Sequence, residues 1–271
     1  MFTMWIGKKG KSLGNLSFIV LANNSEMVIK KALESIKWAP EIIVVDTNRF
    51  GSSDLTVEIA KQYTSRVFWF KKGGFSEWRN WALKKATKDW IFYLDADESV
   101  TPELKKELLR ISQKLFDTSG PGAYDVYRNN YFLGKKWHRG EWITRFFNRE
   151  KIIEWRGELH ETPLVKGPVG KLQGSINHWT HTDIESMIIK TLKWSRIEGY
   201  LLYKNNHPPM AGWRFIKVML AELFRRLITE GYWRDGIEGW IEAIFQMFSV
   251  FLTYVRLWEY QTKRIRYKRV L

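Results

Sequence analysis

Two aspartates one residue apart end the apolar run in WIFYLDADES, Trp90 to Ser99. Carboxylates are costly at the end of a buried strand unless a positive group balances them. Asp95 and Asp97 could contact one hard divalent cation. Mg2+ or Mn2+ bound by so few carboxylates keeps waters and completes its shell with substrate phosphates, which implies a phosphorylated substrate. The competing reading makes Asp95 to Glu98 an acidic turn that caps a helix beginning near Pro102. The chain has no cysteine, which removes disulfides and thiolate ligands, so any metal is held by oxygen or imidazole.

The elements that must place this pair are legible upstream of it. From Leu16 short apolar runs alternate with helical ones: LSFIVL, SEMVIKKALESIK, EIIVVD, SSDLTVEIAKQY, RVFWF, FSEWRNWALKKAT and WIFYLD. Repeated β-α-β predicts a parallel sheet with helices on both faces. Ligands of such sheets bind beyond the C-terminal strand ends, which is where Asp95 and Asp97 fall, after the fourth strand. Ser25, Ser53 or Asp54, and Ser76 fit as helix N-caps, and Thr101 before Pro102 opens PELKKELLRIS.

After Gly120-Pro121-Gly122 the pattern changes to the strand-like AYDVYRNNYF, WITRFFN and KLQGSINHWT, with the polar EWRGELHETP between them, and this half is expected to extend the same sheet. From Asp183 the pattern is helical in three pieces, at about 183–205, 211–230 and 234–260. The expected organisation is a flexible leader over 1–15, an α/β domain over 16–182 divided near residue 100, and a helical region over 183–271.

A chain of 271 residues with 45% hydrophobic content can bury a sizeable core. Its 44 Lys and Arg against 29 Asp and Glu give a net charge of +15, which favours a polyanionic neighbour: nucleic acid, nucleotide phosphate or an anionic membrane face. Its aromatic content, with 15 Trp, suits either a membrane–water interface or a large core. MFTMWIGKKGKSLGN lacks the apolar stretch of a signal peptide or a membrane span.

In order and spacing, LSFIVLANNSE, EIIVVDTNRFGSSDLTVEIA, GGFSEWRNWALKKATKDWIFYLDADESVTPEL, NYFLGKKWHRG, RGELHE and GPVGKLQGSINHWTHTDIES together resemble the family-2 glycosyltransferases of GT-A fold. Within that family the likeness is to the branch of lipopolysaccharide core β-glucosyltransferases. It covers about residues 16–200. It implies an α/β, Rossmann-like GT-A fold with a mostly parallel mixed sheet flanked by helices and a C-terminal amphipathic helical appendage. Residues 16–100 would then be the nucleotide-binding half and 101–182 the acceptor half. FYLDADES also comes close to the D-x-D-x-[TV] of haloacid dehalogenase phosphatases, but their nucleophile ends the first strand and a second acidic pair follows, which is not the case here.

The resemblance assigns roles. Asp46, at the end of the second strand, faces the uracil or ribose of a UDP-linked sugar. Arg79 and Asn80, in the first turn of their helix, match the family's Arg-Asn pair beside the nucleotide; apart from the resemblance, Arg79 could equally form a surface salt bridge with Glu77 or Asp89. Asp95 and Asp97 become the site of Mn2+ or Mg2+ and the diphosphate, and His178 falls where such enzymes place a late histidine near the metal, although a lone histidine is also a common structural residue. Inversion at the anomeric carbon needs a carboxylate base. GELHE offers Glu158, His160 and Glu161, with Glu161 as the base and His160 orienting a substrate or the metal-bound diphosphate. Two departures fall near the nucleoside: Asn23-Asn24-Ser25-Glu26 lacks the family's lysine, and the loop after Asp46 is about three residues longer than usual.

In GWRFIKVMLAELFRRLITEGYW a stripe of Trp213, Ile216, Leu220, Leu223, Phe224 and Leu227 recurs at helical spacing, with Arg214, Lys217, Arg225 and Arg226 largely off it. The next helix carries Ile237, Trp240, Ile241, Ile244, Phe245, Phe248, Phe251, Leu252 and Val255, and its charge-free run, Ala243 to Val255, is shorter than the ~20 residues of a span. These helices either pack on the α/β domain or a homodimer partner, or lie in the plane of an anionic membrane surface, helped by Lys263, Arg264, Arg266, Lys268 and Arg269. The family implies a nucleotide-sugar donor and a lipid-linked or glycan acceptor, reached peripherally from the cytoplasmic side of the inner membrane. A basic non-catalytic protein binding nucleic acid is the rival, and no helix-turn-helix, zinc spacing or RNP-like sequence supports it. A fold of this family that binds without turnover is the third reading.

Overall fold

Every residue of β1 (Leu16–Ala22) is buried, and its alternation serves two cores at once. Phe18, Val20 and Ala22 face one side of the sheet, where Ile29, Ala32, Leu33 and Ile36 of α1 (Glu26–Ile36) meet them. Ile19 and Leu21 face the other. The same division runs through β2 (Glu41–Asp46), with Val44 on one face and Val45 on the other. A strand buried on both faces is the mark of a parallel sheet covered by helices on each side, and each such side chain contributes about 1.5–3 kcal/mol of burial. The structure is a computed structural model and describes residues 14–48, 50–113, 120–157, 161–181 and 183–262. Of the expected leader only Gly14 and Asn15 are among them.

The chain continues through α2 (Thr56–Lys61), β3 (Val67–Trp69), α3 (Phe75–Leu83), β4 (Trp90–Asp95), β5 (Glu98–Val100) and α4 (Pro102–Ser112). It then forms β6 (Ala123–Phe132), β7 (Lys135–Lys136), β8 (Glu141–Asn148), β9 (Ile152–Arg156), β10 (Thr162–Val165) and β11 (Val169–His181). The helices α5 (Ile184–Lys204), α6 (Gly212–Phe224) and α7 (Ile237–Gln261) follow, with a π-helical turn at Arg225–Thr229 and a 3-10 turn at Tyr232–Asp235 before α7.

The main sheet has the order β3-β2-β1-β4-β8-β6-β11-β5, with β7 beside β6. β3, β2, β1 and β4 are parallel, and β8 joins β4 antiparallel, so the second half extends the first sheet as its pattern predicts. EWRGELHETP is not simply polar connection: its flanks form the antiparallel hairpin β9–β10.

Local details differ from the sequence reading for clear reasons. Thr101 caps α4, its hydroxyl accepting from Leu104 N at 3.3 Å, so the cap of that helix is Thr101 rather than the acidic pair. α3 begins at Phe75, not after Ser76, because Gly73 adopts a left-handed φ of 85° and Glu77 reaches back to accept from Gly74 N at 2.8 Å. Arg79 and Asn80 therefore lie in the second turn of α3. The Ser25 hydroxyl accepts from Asn23 N instead of capping α1, and Asp54 takes the Glu26 amide at 3.1 Å.

The chain divides into two compact units, residues 1–130 with 140–178, and 131–139 with 179–271. The hairpin around β7 belongs with the helices because Phe132 and Trp137 pack with Met187 and Phe245. The Asp235 carboxylate there accepts from His138 N at 3.0 Å and bonds its ring. Within this unit α5 and α7 approach closely at Gly199, where a Cβ would lie 2.6 Å from that of Arg256.

Candidate active site

Three strands and one helix deliver charged side chains to the C-terminal end of β4. Asp95 is its last residue, and β5 follows at once and pairs antiparallel with β11, setting His178 opposite Glu98. Arg145 comes from β8 through an irregularity. Tyr124 faces Phe146 and Asp125 faces Thr144, so Arg145 is the extra residue of a β-bulge, a device that re-aims a side chain. Arg79 comes from α3.

The two oxygens of Asp95 are each held by an arginine, Oδ1 by Arg79 Nη2 at 3.0 Å and Oδ2 by Arg145 Nη2 at 2.6 Å. Arg79 is 1% exposed and also donates from Nε to Glu161 at 3.1 Å. It is not the surface salt bridge to Glu77 or Asp89 that its sequence position also allowed. The aromatic rings of Tyr93 and Trp155 lie 5.4 and 4.9 Å from its guanidinium carbon, and its Nη1 has no partner among the described residues. Asn80 uses its side-chain amide like a strand backbone, donating to Trp155 O at 2.9 Å and accepting from Trp155 N at 2.8 Å. It thereby fastens to α3 the hairpin whose second strand begins just after Glu161.

From Asp95 the network runs on through Glu98, which takes the Asp95 amide at 3.0 Å and pairs with Arg128 at 3.2 Å. Arg128 also donates to Glu141 at 2.6 Å. Burial pushes the Asp95 carboxyl up, but the fields of Arg145, Arg79 and Arg128, with His178, outweigh it and hold the group well below the usual carboxylate range. Burial lowers and Asp95, Glu98 and Glu161 raise the Arg145 guanidinium, with a net upward shift.

His178 completes the far side. Its Nδ1 donates to Asn130 Oδ1 at 2.8 Å, and its Nε2 faces Asp97 Oδ2 at 3.5 Å. An imidazole nitrogen beside a carboxylate oxygen is a donor set suited to Mn2+ or Mg2+, and the Asn130 contact orients the ring as outer partners of metal ligands do. The charges agree: the carboxylates of Asp95, Glu98, Glu141 and Glu161 pair with the guanidiniums of Arg79, Arg128 and Arg145, and Asp97 adds a fifth carboxylate beside His178. Among the described residues no group of three or more His, Asp or Glu converges on one point, so a cation here would draw further ligands from substrate and water.

Asp46 is buried and fully engaged. It accepts from Asn48 N at 3.0 Å and from Ser52 N and Oγ at 2.6 and 3.0 Å, which folds the long loop after β2. Asn48 in turn donates to Asn23 and Asn24 at 3.2 Å, so this loop and the one after β1 form a single rim. Glu158 and His160 lie outside the described residues. Arg128, Glu141, Asn130 and Arg145 have no part in the sequence reading. The signal for Arg145 is a lone arginine inside the apolar WITRFFN.

Residues 17–164 match the sequence profile described as "Glycosyl transferase family 2". The chain is 25% identical over 269 residues to a lipopolysaccharide core biosynthesis glycosyltransferase, LpsC, of Rhizobium meliloti, covering 93% of this chain and 94% of that one. It is 24% identical over 268 residues to an uncharacterized glycosyltransferase of Rickettsia typhi, covering 92% and 88%. Among solved structures, S. aureus TarS 1-349 in complex with UDP aligns with a TM-score of 0.44 and 15% identity, over 94% of this chain and 93% of that one.

Proposed function

The chain belongs to glycosyl transferase family 2, and on that premise we propose that it moves a hexose from a UDP-linked sugar, with inversion, to a lipid-linked saccharide resembling a lipopolysaccharide core. The relative named for lipopolysaccharide core biosynthesis, alike over nearly its whole length, supports this acceptor class. The observation that carries the reading is the contact of Arg79 with both Asp95 and Glu161, which joins the end of β4 to a carboxylate fit to act as base.

Glu161 takes the proton of the acceptor hydroxyl as that oxygen bonds the anomeric carbon, and the bond from that carbon to the diphosphate breaks on the opposite face. Arg79 fixes the orientation of the base and offers to a substrate oxygen its Nη1, which has no partner among the described residues. Asp97 and His178, with Asp95 beside them, would hold Mn2+ or Mg2+, which supplies charge neutralisation for the departing diphosphate. Asp46 shapes the rim that meets the uracil or ribose, Asn80 steadies the hairpin leading to Glu161, and His160 orients the acceptor. The net charge of +15 suits peripheral work at the cytoplasmic face of the inner membrane.

Calorimetric titration with UDP-, GDP- and ADP-linked sugars, in Mn2+ and then in EDTA, tests the reading. Saturable binding of UDP-sugar that EDTA abolishes is expected. Equal binding with and without metal would remove the role given to Asp97 and His178, and preference for another nucleotide would reassign the donor.

A further inference from the structure

The apolar stripe of α6 does not enter a core. Trp213, Ile216, Leu220, Phe224 and Ile228 are each between 58% and 62% exposed, and α6 has no buried residue. Its opposite face is the one turned toward α7, with Phe215 and Phe251 in edge contact at 5.8 Å. The first half of α7 exposes a second stripe of Ile237, Trp240, Ile241, Ile244 and Phe248. Uncovered apolar surface on this scale marks an interaction site.

The charges beside the stripes select the occupant. Glu222 and Glu230 are neutralised by Arg225 and Arg226 within the same segment. Arg214 and Lys217 lie over the Trp213 ring at 5.1 and 5.8 Å and Arg234 over Trp233 at 5.3 Å, and none of the three is ion-paired to a carboxylate among the described residues. Tryptophans with cations at the margin of an apolar face complement a bilayer surface, with rings at headgroup depth and positive charge toward anionic lipid. By length and composition α7 could cross a membrane. Its own contacts oppose that: Thr253 Oγ1 bonds Glu198 of α5 at 3.2 Å, and the buried Glu242, in the second turn, is bonded to Gln246 at 2.7 Å.

We infer that α6 and the first half of α7 lie along an anionic lipid surface with these stripes as the inserting faces. This rests on the proposal of peripheral membrane work and names the surface that performs it.

Full-length protein is floated with vesicles of phosphatidylcholine alone and of phosphatidylcholine with phosphatidylglycerol, beside Leu220→Asp, Ile244→Asp and Lys217→Glu. The wild type should float with the anionic vesicles, each aspartate variant at least about tenfold less, and Lys217→Glu less on anionic vesicles only. Melting temperature and UDP-sugar binding of the variants should match the wild type. Wild-type flotation of the variants, or no flotation of the wild type, would overturn the assignment. So would a wild-type dimer that Leu220→Asp converts to monomer, which would make the stripe a self-association surface. Donor binding is read separately, so failure of the transferase proposal would leave the vesicle result standing.

Discussion

Arg79 joins two carboxylates far apart in the chain, donating from Nε to Glu161 at 3.1 Å and from Nη2 to Asp95 at 3.0 Å. A lysine cannot span both, because its charge is a point on a flexible stem whereas guanidinium is a planar fork. Arg79→Lys should lower the transfer rate on the order of 10²-fold or more, with a smaller loss of melting temperature than Arg79→Ala. The alanine variant takes this partner from Glu161 and leaves Asp95 to Arg145 alone, around a buried gap, at a cost of about 3–5 kcal/mol. Steady-state transfer and thermal melting, measured on both variants, separate the two effects.

Glu161 and Asp97 should fail in different ways. Glu161→Gln keeps size and polarity but cannot accept the acceptor proton, so donor affinity is expected to persist while transfer falls on the order of 10²–10⁴-fold. Near-normal transfer would move the base to Glu158. Asp97→Ala should abolish the metal-dependent part of donor binding and leave the fold intact, read by calorimetry and circular dichroism.

Arg145 owes its position to a bulge, and two acidic neighbours depend on it, Asp95 at 2.6 Å and Glu98 at 3.6 Å. Arg145→Met keeps the stem and removes the charge. A loss of about 3–5 kcal/mol at pH 7 is expected. In the wild type the depressed Asp95 carboxyl contributes stability above the ordinary carboxylate range, lost as pH falls through its folded value. Without Arg145 only Arg79, Arg128 and His178 oppose the burial of Asp95, so the carboxyl rises and that acid-side dependence should shrink. Urea unfolding at pH 7 and at a series of pH values from 4 downward measures both.

The order of elements was readable because both faces of the parallel strands are buried, so LSFIVL and EIIVVD carry an unbroken apolar signal. The position of Asp95 follows from β-α-β alternation and needs no tertiary knowledge. Arg145, Arg128 and Glu141 were not readable as a group, because their meeting depends on the β6–β8 register and its one-residue slip, which no local pattern encodes. His178 reaches Asp97 through the pairing of β5 with β11, and three residues, Glu98 to Val100, are too few to announce a strand. The stripe of α6 was visible as spacing, but its exposure is a property of the folded chain alone.

Glu41 lies at the other end of the sheet from the site and ties β1, β2 and the turn before β4 together. It accepts from Thr87 N at 2.9 Å, Thr87 Oγ1 at 2.7 Å and Ser17 Oγ, and pairs with Arg66. Burial pushes its carboxyl up, and the bonds from Ser17 and Thr87 with the Arg66 charge bring it below its ordinary 4.5. Its stability contribution is therefore present above that value and lost as pH falls through the lower folded value. Glu41→Gln is expected to cost about 2–4 kcal/mol at pH 7, less at pH 4, in denaturant unfolding.

Glu242 has the opposite sign. It is buried in α7, Oε1 accepts from Gln246 at 2.7 Å, and Oε2 has no partner among the described residues. Burial pushes its carboxyl up to about 7, and Glu230 adds to this, while the Gln246 bond and the Arg226 charge offset only part of it. The folded state thus holds a proton that the unfolded chain releases near its ordinary value of 4.5. Between those values the native state binds more protons, so this group's contribution to stability falls as pH rises through the window and levels off above about 7. Over the whole window the loss is on the order of 3 kcal/mol. Glu242→Gln keeps the shape, stays neutral and satisfies the same neighbourhood as the protonated acid. It should unfold at higher urea than the wild type at pH 8 and almost together with it near pH 5. Equal midpoints for the two proteins at pH 8 would show that Glu242 ionises without cost in the folded chain.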